Sequence, residues 1–182
     1  ACERGRQWRQ AAQAVAATAL GGIELNAIVC SSVLSACGSC QRWERALQLA
    51  RRMRERGPEP DDVAANSLLA ACERGRQWPW ALWLLLEGGA APGCGAPTTA
   101  GYNAALSACE KAGQPERALR LLDFMRRRRQ EPDAVSYNAA VSACGAGGRW
   151  EAALHLTGEL RRRCPSPNVV GCNAAISACG RR

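Results

Sequence analysis

One octamer occurs twice in this 182-residue chain, and the repetition constrains the fold more than any other feature. Ala-Cys-Glu-Arg-Gly-Arg-Gln-Trp stands at residues 1–8 and again at 71–78. The underlying period is half of that offset, because Ala-Cys recurs with spacings of 35, 35, 37, 35 and 35 residues, ending at Cys2, Cys37, Cys72, Cys109, Cys144 and Cys179. A second column has the same spacings: Ala11, Ala46, Ala81, Ala118 and Ala153. Such a period is typical of repeat proteins in which neighbouring units stack to bury a shared core.

Each unit has the pattern of two helices joined by a turn. The first helix includes segments such as residues 103–109, and we expect it to end at a glycine in the left-handed conformation: Gly75, Gly113 or Gly147. The second has apolar residues at helical spacing and begins near Trp43, Trp78, Pro115 or Trp150. A proline then stops it: Pro60, Pro97, Pro132 or Pro167. The small residues in the two periodic columns let the two helices of a unit approach to about 8–10 Å. The sequence therefore predicts an all-α solenoid of helix-turn-helix repeats.

Charge and cysteine usage narrow the class of protein. The net charge is +8, and arginine supplies nearly all of the basic residues, which favours a polyanionic partner. Eleven cysteines are an odd number in a long chain, which indicates a reducing compartment. Cys37 and Cys40 form a CxxC pair without a second pair of zinc ligands, so we expect no metal and no cofactor. The periodic cysteines are better explained as small buried residues.

No apolar run approaches the roughly 20 residues of a membrane span, so no membrane association is expected. The chain begins at Ala1 in the middle of the repeat pattern, without a targeting segment. We therefore interpret it as an internal fragment. His155, the single histidine, is expected on an exposed helix face.

The unit from Ala100 to Asp133 resembles a pentatricopeptide repeat in its Tyr102-Asn103, Ala112-Gly113, Arg117-Ala118-Leu119, Met125 and Pro132-Asp133. Tetratricopeptide repeats have a period of 34 and lack the Tyr-Asn and Pro-Asp signatures. The resemblance covers a partial repeat at 1–26 (its second helix), repeats at 27–61, 62–98, 99–133 and 134–168, and a first helix at 169–182. It implies that the solenoid is a right-handed superhelix.

The repeat at 62–98 departs from the pattern by a two-residue insertion. Its second helix meets Gly88-Gly89, so we expect that helix to end early and residues 88–98 to be flexible. Trp80 and Trp83 also occur only here and are expected to be exposed or to meet a partner. The periodic tryptophans are expected to pack between repeats: Trp8, Trp43, Trp78 and Trp150.

Pentatricopeptide repeats bind single-stranded RNA at one base per repeat, read by two or three side chains. The resemblance implies that a first-helix residue and the last residue of the same repeat form a base-reading pair: Ser31 with Asp61, Asn66 with Thr98, Asn103 with Asp133, and Asn138 with Asn168. Asn173 occupies the first of these positions in the last partial repeat. The column that sandwiches bases is Ile28, Val63, Ala100, Val135 and Val170. The competing explanation is helix capping and turn chemistry, which also favour Asn and Asp at such places.

Donor and acceptor chemistry suggests which bases are read, from 5′ to 3′ along successive repeats. A carboxylate only accepts hydrogen bonds, which suits the N–H donors of guanine and uracil, whereas an amide also donates. We expect guanine at Ser31 with Asp61, uracil at Asn103 with Asp133, and cytosine before uracil at Asn138 with Asn168. Asn66 with Thr98 is ambiguous and predicts any pyrimidine.

A basic column is expected to contact the RNA backbone, namely Arg4, Arg74, Lys111 and Arg181, although Ser39 and Ala146 interrupt it. Arginine runs end the second helices at 51–52, 126–129 and 161–163, where cations complement the helix dipole. We expect those runs to be solvated.

The sequence thus predicts a monomeric, non-enzymatic module that binds single-stranded RNA. The family resemblance implies a mitochondrion or plastid, where such a module would serve RNA processing, stability, editing or translation. Two alternatives stay open. One is a helical scaffold that binds protein partners, and the other is the RNA-binding part of an enzyme whose catalytic domain lies outside this fragment.

Overall fold

The computed structural model describes residues 27–39, 42–56, 61–86, 98–163 and 169–180. Within these ranges the chain is helical apart from short turns, and no β-strand occurs. The helices are α1 (Ala27–Ser39), α2 (Trp43–Arg56), α3 (Asp62–Arg74), α4 (Trp78–Leu86), α5 (Thr99–Lys111), α6 (Pro115–Arg127), α7 (Ala134–Ala146), α8 (Trp150–Arg163) and α9 (Val169–Cys179). The all-helical class that the repeat predicts is confirmed.

The helix starts follow from their first residues. Asp61 caps α3 by accepting a hydrogen bond from the backbone N–H of Ala64 at 2.7 Å, and Asp133 caps α7 through the N–H of Ser136 at 2.9 Å. Such caps satisfy backbone donors that have no partner inside the helix. Pro115 is the first residue of α6, where its missing N–H costs no hydrogen bond.

The prediction that a left-handed glycine ends each first helix is correct at Gly113, whose φ is 62°. It is wrong at Gly75 and Gly147. Those two residues cap α3 and α7 with φ of −78° and −89°, and the left-handed residue is the next one in each case. It is Arg76 with φ of 54° and Gly148 with φ of 72°.

Gly75 and Gly147 are glycines because a helix packs against them. A Cβ atom on Gly75 would lie 2.5 Å from Cδ1 of Trp43, the first residue of α2. A Cβ atom on Gly147 would lie 2.4 Å from Cγ of Pro115, the first residue of α6. Real Cβ atoms do not approach carbon atoms so closely. The physical reason for these two glycines is therefore close approach between neighbouring repeats, which the chain order alone does not reveal.

The chain divides into two compact units, residues 1–101 and 102–182, and the boundary falls within α5. In the first unit, α1 packs against α2 and α3, and α3 packs against α2 and α4. Its core includes Leu34, Met53 and Leu68. In the second unit, α7 packs against α6, α8 and α9. Within each unit, first helices of consecutive repeats thus pack together, α1 on α3 and α7 on α9, as expected for stacked helical hairpins.

Small residues line the helix contacts. The second-helix column is fully buried at Ala46, Ala81, Ala118 and Ala153. The cysteine column is buried too, at Cys37, Cys72, Cys109 and Cys144, which confirms its predicted packing role. Burial raises the pKa of Cys72 from 9.0 to about 12 and that of Cys109 and Cys144 to about 11. These thiols therefore stay protonated at neutral pH and pack as small apolar groups.

The irregular repeat at 62–98 contains α4 and the two tryptophans that occur only in this repeat. α4 is described over nine residues, Trp78–Leu86, and the early end predicted for it at Gly88-Gly89 lies outside the described residues. Residues 88–97, most of the segment predicted to be flexible, lie outside the described residues. Trp80 and Trp83 are 42% and 37% exposed and form an edge-to-face pair with ring centroids 5.9 Å apart.

No helix in the described ranges has the length and apolar character needed to cross a membrane.

The arginine run at 126–129 is only partly solvated, which corrects the prediction for its first member. Arg126 donates a hydrogen bond to the Tyr137 hydroxyl at 3.1 Å and pairs with the carboxylate of Glu159. These contacts join α6 to α7 and α8, and the Arg126 side chain is 33% exposed. The hydrogen bond to Tyr137 is the largest effect that raises the pKa of Arg126. Arg127, Arg128 and Arg129 are exposed, as are Arg51, Arg52 and residues 161–163.

Candidate nucleic-acid interface

The predicted RNA-contacting residues lie along one face of each first helix. Residues separated by three and by eleven positions point in nearly the same direction on an α-helix. α3 therefore presents Val63, Asn66 and Arg74 together, and α5 presents Ala100, Asn103 and Lys111 in the same order. α7 repeats the pattern with Val135 and Asn138, and ends with Ala146 where the others have a cation.

Ser31 and Asp61 are in direct contact although 30 residues separate them. The hydroxyl of Ser31 on α1 donates to Oδ1 of Asp61 at 3.1 Å, and the same oxygen accepts the capping N–H of Ala64. Ser31 is buried at 7% exposure, whereas Asp61 is exposed. The pair borders a groove of about 510 Å³ that is lined by Ser31, Ser32, Ser35, Asp61, Val63 and Ser67.

Asn66 and Thr98 form the second contact. Nδ2 of Asn66 donates to Oγ1 of Thr98 at 3.0 Å. Oδ1 of Asn66 is buried and has no hydrogen-bond partner among the described residues. Because Thr98 is exposed and its hydroxyl both donates and accepts, this pair offers a base either kind of hydrogen bond.

Asn103 and Asp133 form the third and best connected pair. Nδ2 of Asn103 lies 3.2 Å from each carboxylate oxygen of Asp133. Asp133 is exposed, and its Oδ1 also caps α7 at Ser136. The carboxylate is thus held by α5 and α7 together. Within the described residues, Asn103 is the one hydrogen-bond donor to its Oδ2.

The capping and base-reading explanations turn out to be compatible. Asp61 and Asp133 each cap the first helix of the next repeat and also accept from the first-helix residue of their own repeat. Capping fixes the position of each carboxylate, and the second contact joins it to the side chain predicted to read the same base. The structure therefore brings together all three predicted pairs whose members are both described, while their role toward RNA stays a prediction.

The fourth pair is only partly described. Asn138 lies on α7, and its Oδ1 is buried without a partner among the described residues. Asn168 lies outside the described residues. A Cβ atom on Gly171 of α9 would come within 2.7 Å of Oδ1 of Asn138, so this glycine leaves the space that the amide occupies. Asn173 is exposed on α9.

The predicted sandwich column supplies apolar surface beside the pairs. Val63 and Val135 are 59% and 57% exposed, and Ala100 is exposed as well. Ile28 lies in α1 and Val170 in α9. The exposed β-branched side chains of Val63 and Val135, at equivalent places on α3 and α7, are suited to contact the faces of bases.

The predicted phosphate contacts are exposed at helix ends. Arg74 and Lys111 occupy the last turns of α3 and α5. Cations at these places also complement the helix dipole, so their position agrees with either role. Arg4 and Arg181 lie outside the described residues.

Sequence reasoning missed Ser136. Its side chain is fully buried, and its Oγ lies 2.5 Å from Oδ1 of Asn103 and 3.0 Å from Oδ1 of Asp133. It also accepts the backbone N–H of Asp133 at 3.2 Å, which completes a capping box. The usual sequence signal for such a box is a polar N-cap residue followed three positions later by Glu or Gln. Asp133 fits the first part of that signal, but serine stands three positions later, so the sequence indicates the box only weakly.

Family models match three parts of the chain. A model described as PPR repeat family matches residues 97–146, one described as Pentatricopeptide repeat domain matches 18–74, and one described as PPR repeat matches 135–164. The chain belongs to the pentatricopeptide-repeat (PPR) family. Comparison with curated proteins finds no match.

Solved PPR structures resemble this chain in fold. The pentatricopeptide repeat protein PPR10 from maize is 26% identical with a TM-score of 0.69, over 96% of this chain and 25% of PPR10. PPR10 in complex with an 18-nucleotide psaJ RNA element is 28% identical with a TM-score of 0.73, over 86% and 23%. This chain thus spans about a quarter of PPR10.

A third PPR structure is similar over nearly its whole length. The PPR domain of Arabidopsis thaliana protein-only RNase P 1, in complex with tRNA, has a TM-score of 0.80 at 13% identity. The match covers 98% of this chain and 93% of that domain. At this identity the similarity concerns the fold alone.

Proposed function

We propose that this PPR chain binds single-stranded RNA and reads one base with each first-helix residue and the last residue of its repeat. The observation that carries the proposal is the direct hydrogen bonding within three pairs at equivalent places along the chain. Exposed apolar residues adjoin these pairs, as a base-stacking site requires. Similarity to PPR10, which has been crystallised with RNA, supports the same function.

The chemistry of the pairs supports distinct base preferences. Asp133 has acceptor oxygens only, so N3–H of uracil can donate to it while Asn103 helps to exclude a purine. Asp61 beside Ser31 suits guanine, whose Watson–Crick edge has two adjacent donors. Asn138 with Asn168 favours cytosine and then uracil, and Asn66 with Thr98 accepts either pyrimidine. The proposed preference is therefore guanine, any pyrimidine, uracil, then cytosine or uracil.

The finer features of the function are proposals that rest on family membership. We place the protein in a mitochondrion or plastid, in RNA processing, stability, editing or translation. The chain acts as a monomer and has a binding rather than a catalytic role. Imaging a fluorescent fusion of the complete protein tests the location, and a nuclear or cytosolic signal would contradict it.

Titration of the chain with labelled, structureless RNA at several salt concentrations tests RNA binding itself. We expect modest affinity that falls as salt rises, because few bases are read and phosphate contacts release counterions. Duplex RNA of matched length is the control and should bind more weakly, because its base edges are not free to enter the pairs. Absence of any preference for single strands would contradict the proposal.

A protein partner is the second candidate function. It is favoured by a groove of about 530 Å³ between α2 and α4, lined by apolar residues that include Trp43, Leu47, Trp80, Trp83 and Leu84. Loss of RNA binding in a Trp80→Ala, Trp83→Ala double variant that stays folded would favour RNA at this groove. If the wild-type chain fails to bind RNA at any salt concentration, the protein-binding scaffold becomes the better explanation.

A further inference from the structure

The buried hydroxyl of Ser136 lies beneath the Asn103–Asp133 pair. Its Oγ is 2.5 Å from Oδ1 of Asn103, while Nδ2 of the same amide is 3.2 Å from both oxygens of Asp133. Both ends of the Asn103 amide therefore have partners within the protein. Asn66 and Asn138 differ from it, because Oδ1 of each lacks a partner in the described part of the chain.

The neighbours determine which way the Asn103 amide faces. If Oδ1 faced Asp133, two acceptors would meet, so Nδ2 takes that place and Oδ1 turns to Ser136. The backbone N–H of Asp133 donates to Oγ of Ser136 at 3.2 Å, which leaves the hydroxyl proton for another acceptor. Oδ1 of Asn103 is the nearest acceptor, at 2.5 Å against 3.0 Å for Oδ1 of Asp133.

The hydroxyl is specific to this repeat. The third residue after the last residue of each repeat is Ala64, Gly101, Ser136 or Gly171. At Gly171 a Cβ atom would lie 2.7 Å from Oδ1 of Asn138, so this column is aimed at the first-helix Asn of the preceding repeat. Only Ser136 among these residues brings a donor to that oxygen.

We propose that Ser136 is a positioning residue that sharpens the choice of uracil over cytosine at the base read by Asn103 and Asp133. The inference rests on the proposed RNA-binding function. With Oδ1 of Asn103 bound to Ser136, the amide offers a base its remaining N–H, which suits a carbonyl oxygen of uracil. Without the hydroxyl, Oδ1 of Asn103 loses this donor and can accept from the amino group of cytosine instead.

The test compares the dissociation constants of two RNAs that differ only in uracil or cytosine at the third of the four read bases. The wild-type chain is measured beside Ser136→Ala and Ser136→Gly, the latter carrying the residue that this column has at Gly171. We expect either variant to reduce the uracil preference about threefold to tenfold, the effect of one hydrogen bond. The guanine preference at the first base, read by Ser31 and Asp61, should not change.

The same Ser136 variants are also measured in a chain that carries Asn103→Ala. This comparison distinguishes a Ser136 that positions the Asn103 amide from a Ser136 that only stabilises the fold. Once the amide is absent, removing the hydroxyl should no longer change the ratio of the two affinities. Loss of the capping box alone would weaken both RNAs equally in either background. An unchanged ratio in both Ser136 variants, or the same change with Asn103 absent, would overturn the inference while leaving RNA binding intact. Failure of the wild-type chain to bind RNA would overturn the proposed function and this inference with it.

Discussion

Asn103 and Asp133 are hydrogen-bonded at 3.2 Å through Nδ2 and both carboxylate oxygens, although one lies on α5 and the other precedes α7. The contact exists because Asp133 is the N-cap of α7, and the backbone N–H of Ser136 fixes its carboxylate. The last residue of one repeat thereby caps the next repeat and is joined to a first-helix residue of its own repeat. The same relationship holds for Ser31 and Asp61.

Removing the cations at Arg74 and Lys111 should weaken RNA binding and reduce its salt dependence. Each phosphate contact contributes a slope of about −0.7 in log K against log salt for single strands. The slope of the double Ala variant should therefore be shallower than that of the wild-type chain by about 1.4. Titrations at four or more salt concentrations measure the slope. Arg161→Ala with Arg163→Ala is the matched control, because it removes two exposed cations at the end of α8. Equal slopes in the two double variants would rule out phosphate contact by Arg74 and Lys111.

Gly75→Ala and Gly147→Ala should each destabilise the chain. The new methyl groups would meet Trp43 at 2.5 Å and Pro115 at 2.4 Å, so neighbouring helices must move apart. We expect a loss of about 1–3 kcal/mol in the free energy of unfolding, the usual range for overpacking. Urea denaturation followed by circular dichroism measures it.

Gly158→Ala provides the control for these two variants. Gly158 lies inside α8 with no atom within 4 Å of an added Cβ. Alanine favours a helix interior over glycine by about 0.5–1 kcal/mol, so this variant should be stabilised. A similar loss of stability in all three variants would contradict the steric explanation.

The buried cysteines should make stability fall at alkaline pH. Burial raises the pKa of Cys72 from 9.0 to about 12 and of Cys109 to about 11, so between these values the unfolded chain has lost protons that the folded chain retains. Stability is therefore intact below pH 9 and decreases as pH rises toward the folded values. Each thiol contributes at most about 1.4 kcal/mol per pH unit in this window.

Urea denaturation in reductant at pH 8, 9, 10 and 11 measures this decrease. Cys72→Ala should flatten the dependence on pH, even though the smaller side chain lowers stability at every pH. Cys172→Ala is the control, because Cys172 is exposed on α9 and its removal should leave the dependence unchanged. Equal pH dependence in the wild-type chain and in Cys72→Ala would contradict the assignment.

The sequence predicts much of this architecture because the 35-residue period repeats the same packing contacts. Ala46 and Cys72 are buried where their columns place them, and Asp133 meets Asn103 at the same repeat positions where Asp61 meets Ser31. The remaining contacts have no periodic signal. Ser136 stands in a column with alanine and glycine, and Arg126 reaches Glu159 from a run of arginines that otherwise face solvent. The crowding at Gly75 depends on how α2 packs on α3, which local sequence does not encode.

Asp133→Asn should change the base preference of one repeat and leave the fold intact. Asparagine caps a helix about as well as aspartate, so α7 should keep its start and the stability should change little. The amide converts an acceptor-only group into one that also donates, which serves the ring acceptor of cytosine. The matched control is Asp123→Asn, which removes the same charge from an exposed site on α6.

Competition binding with RNAs that vary one base at a time tests the central claim most directly. With Asp133→Asn, the third base should shift from uracil toward cytosine, while the other three bases and the Asp123→Asn control keep the wild-type preferences. An unchanged preference for uracil at the third base, in an Asp133→Asn chain that stays folded, would contradict the claim that Asn103 and Asp133 read this base.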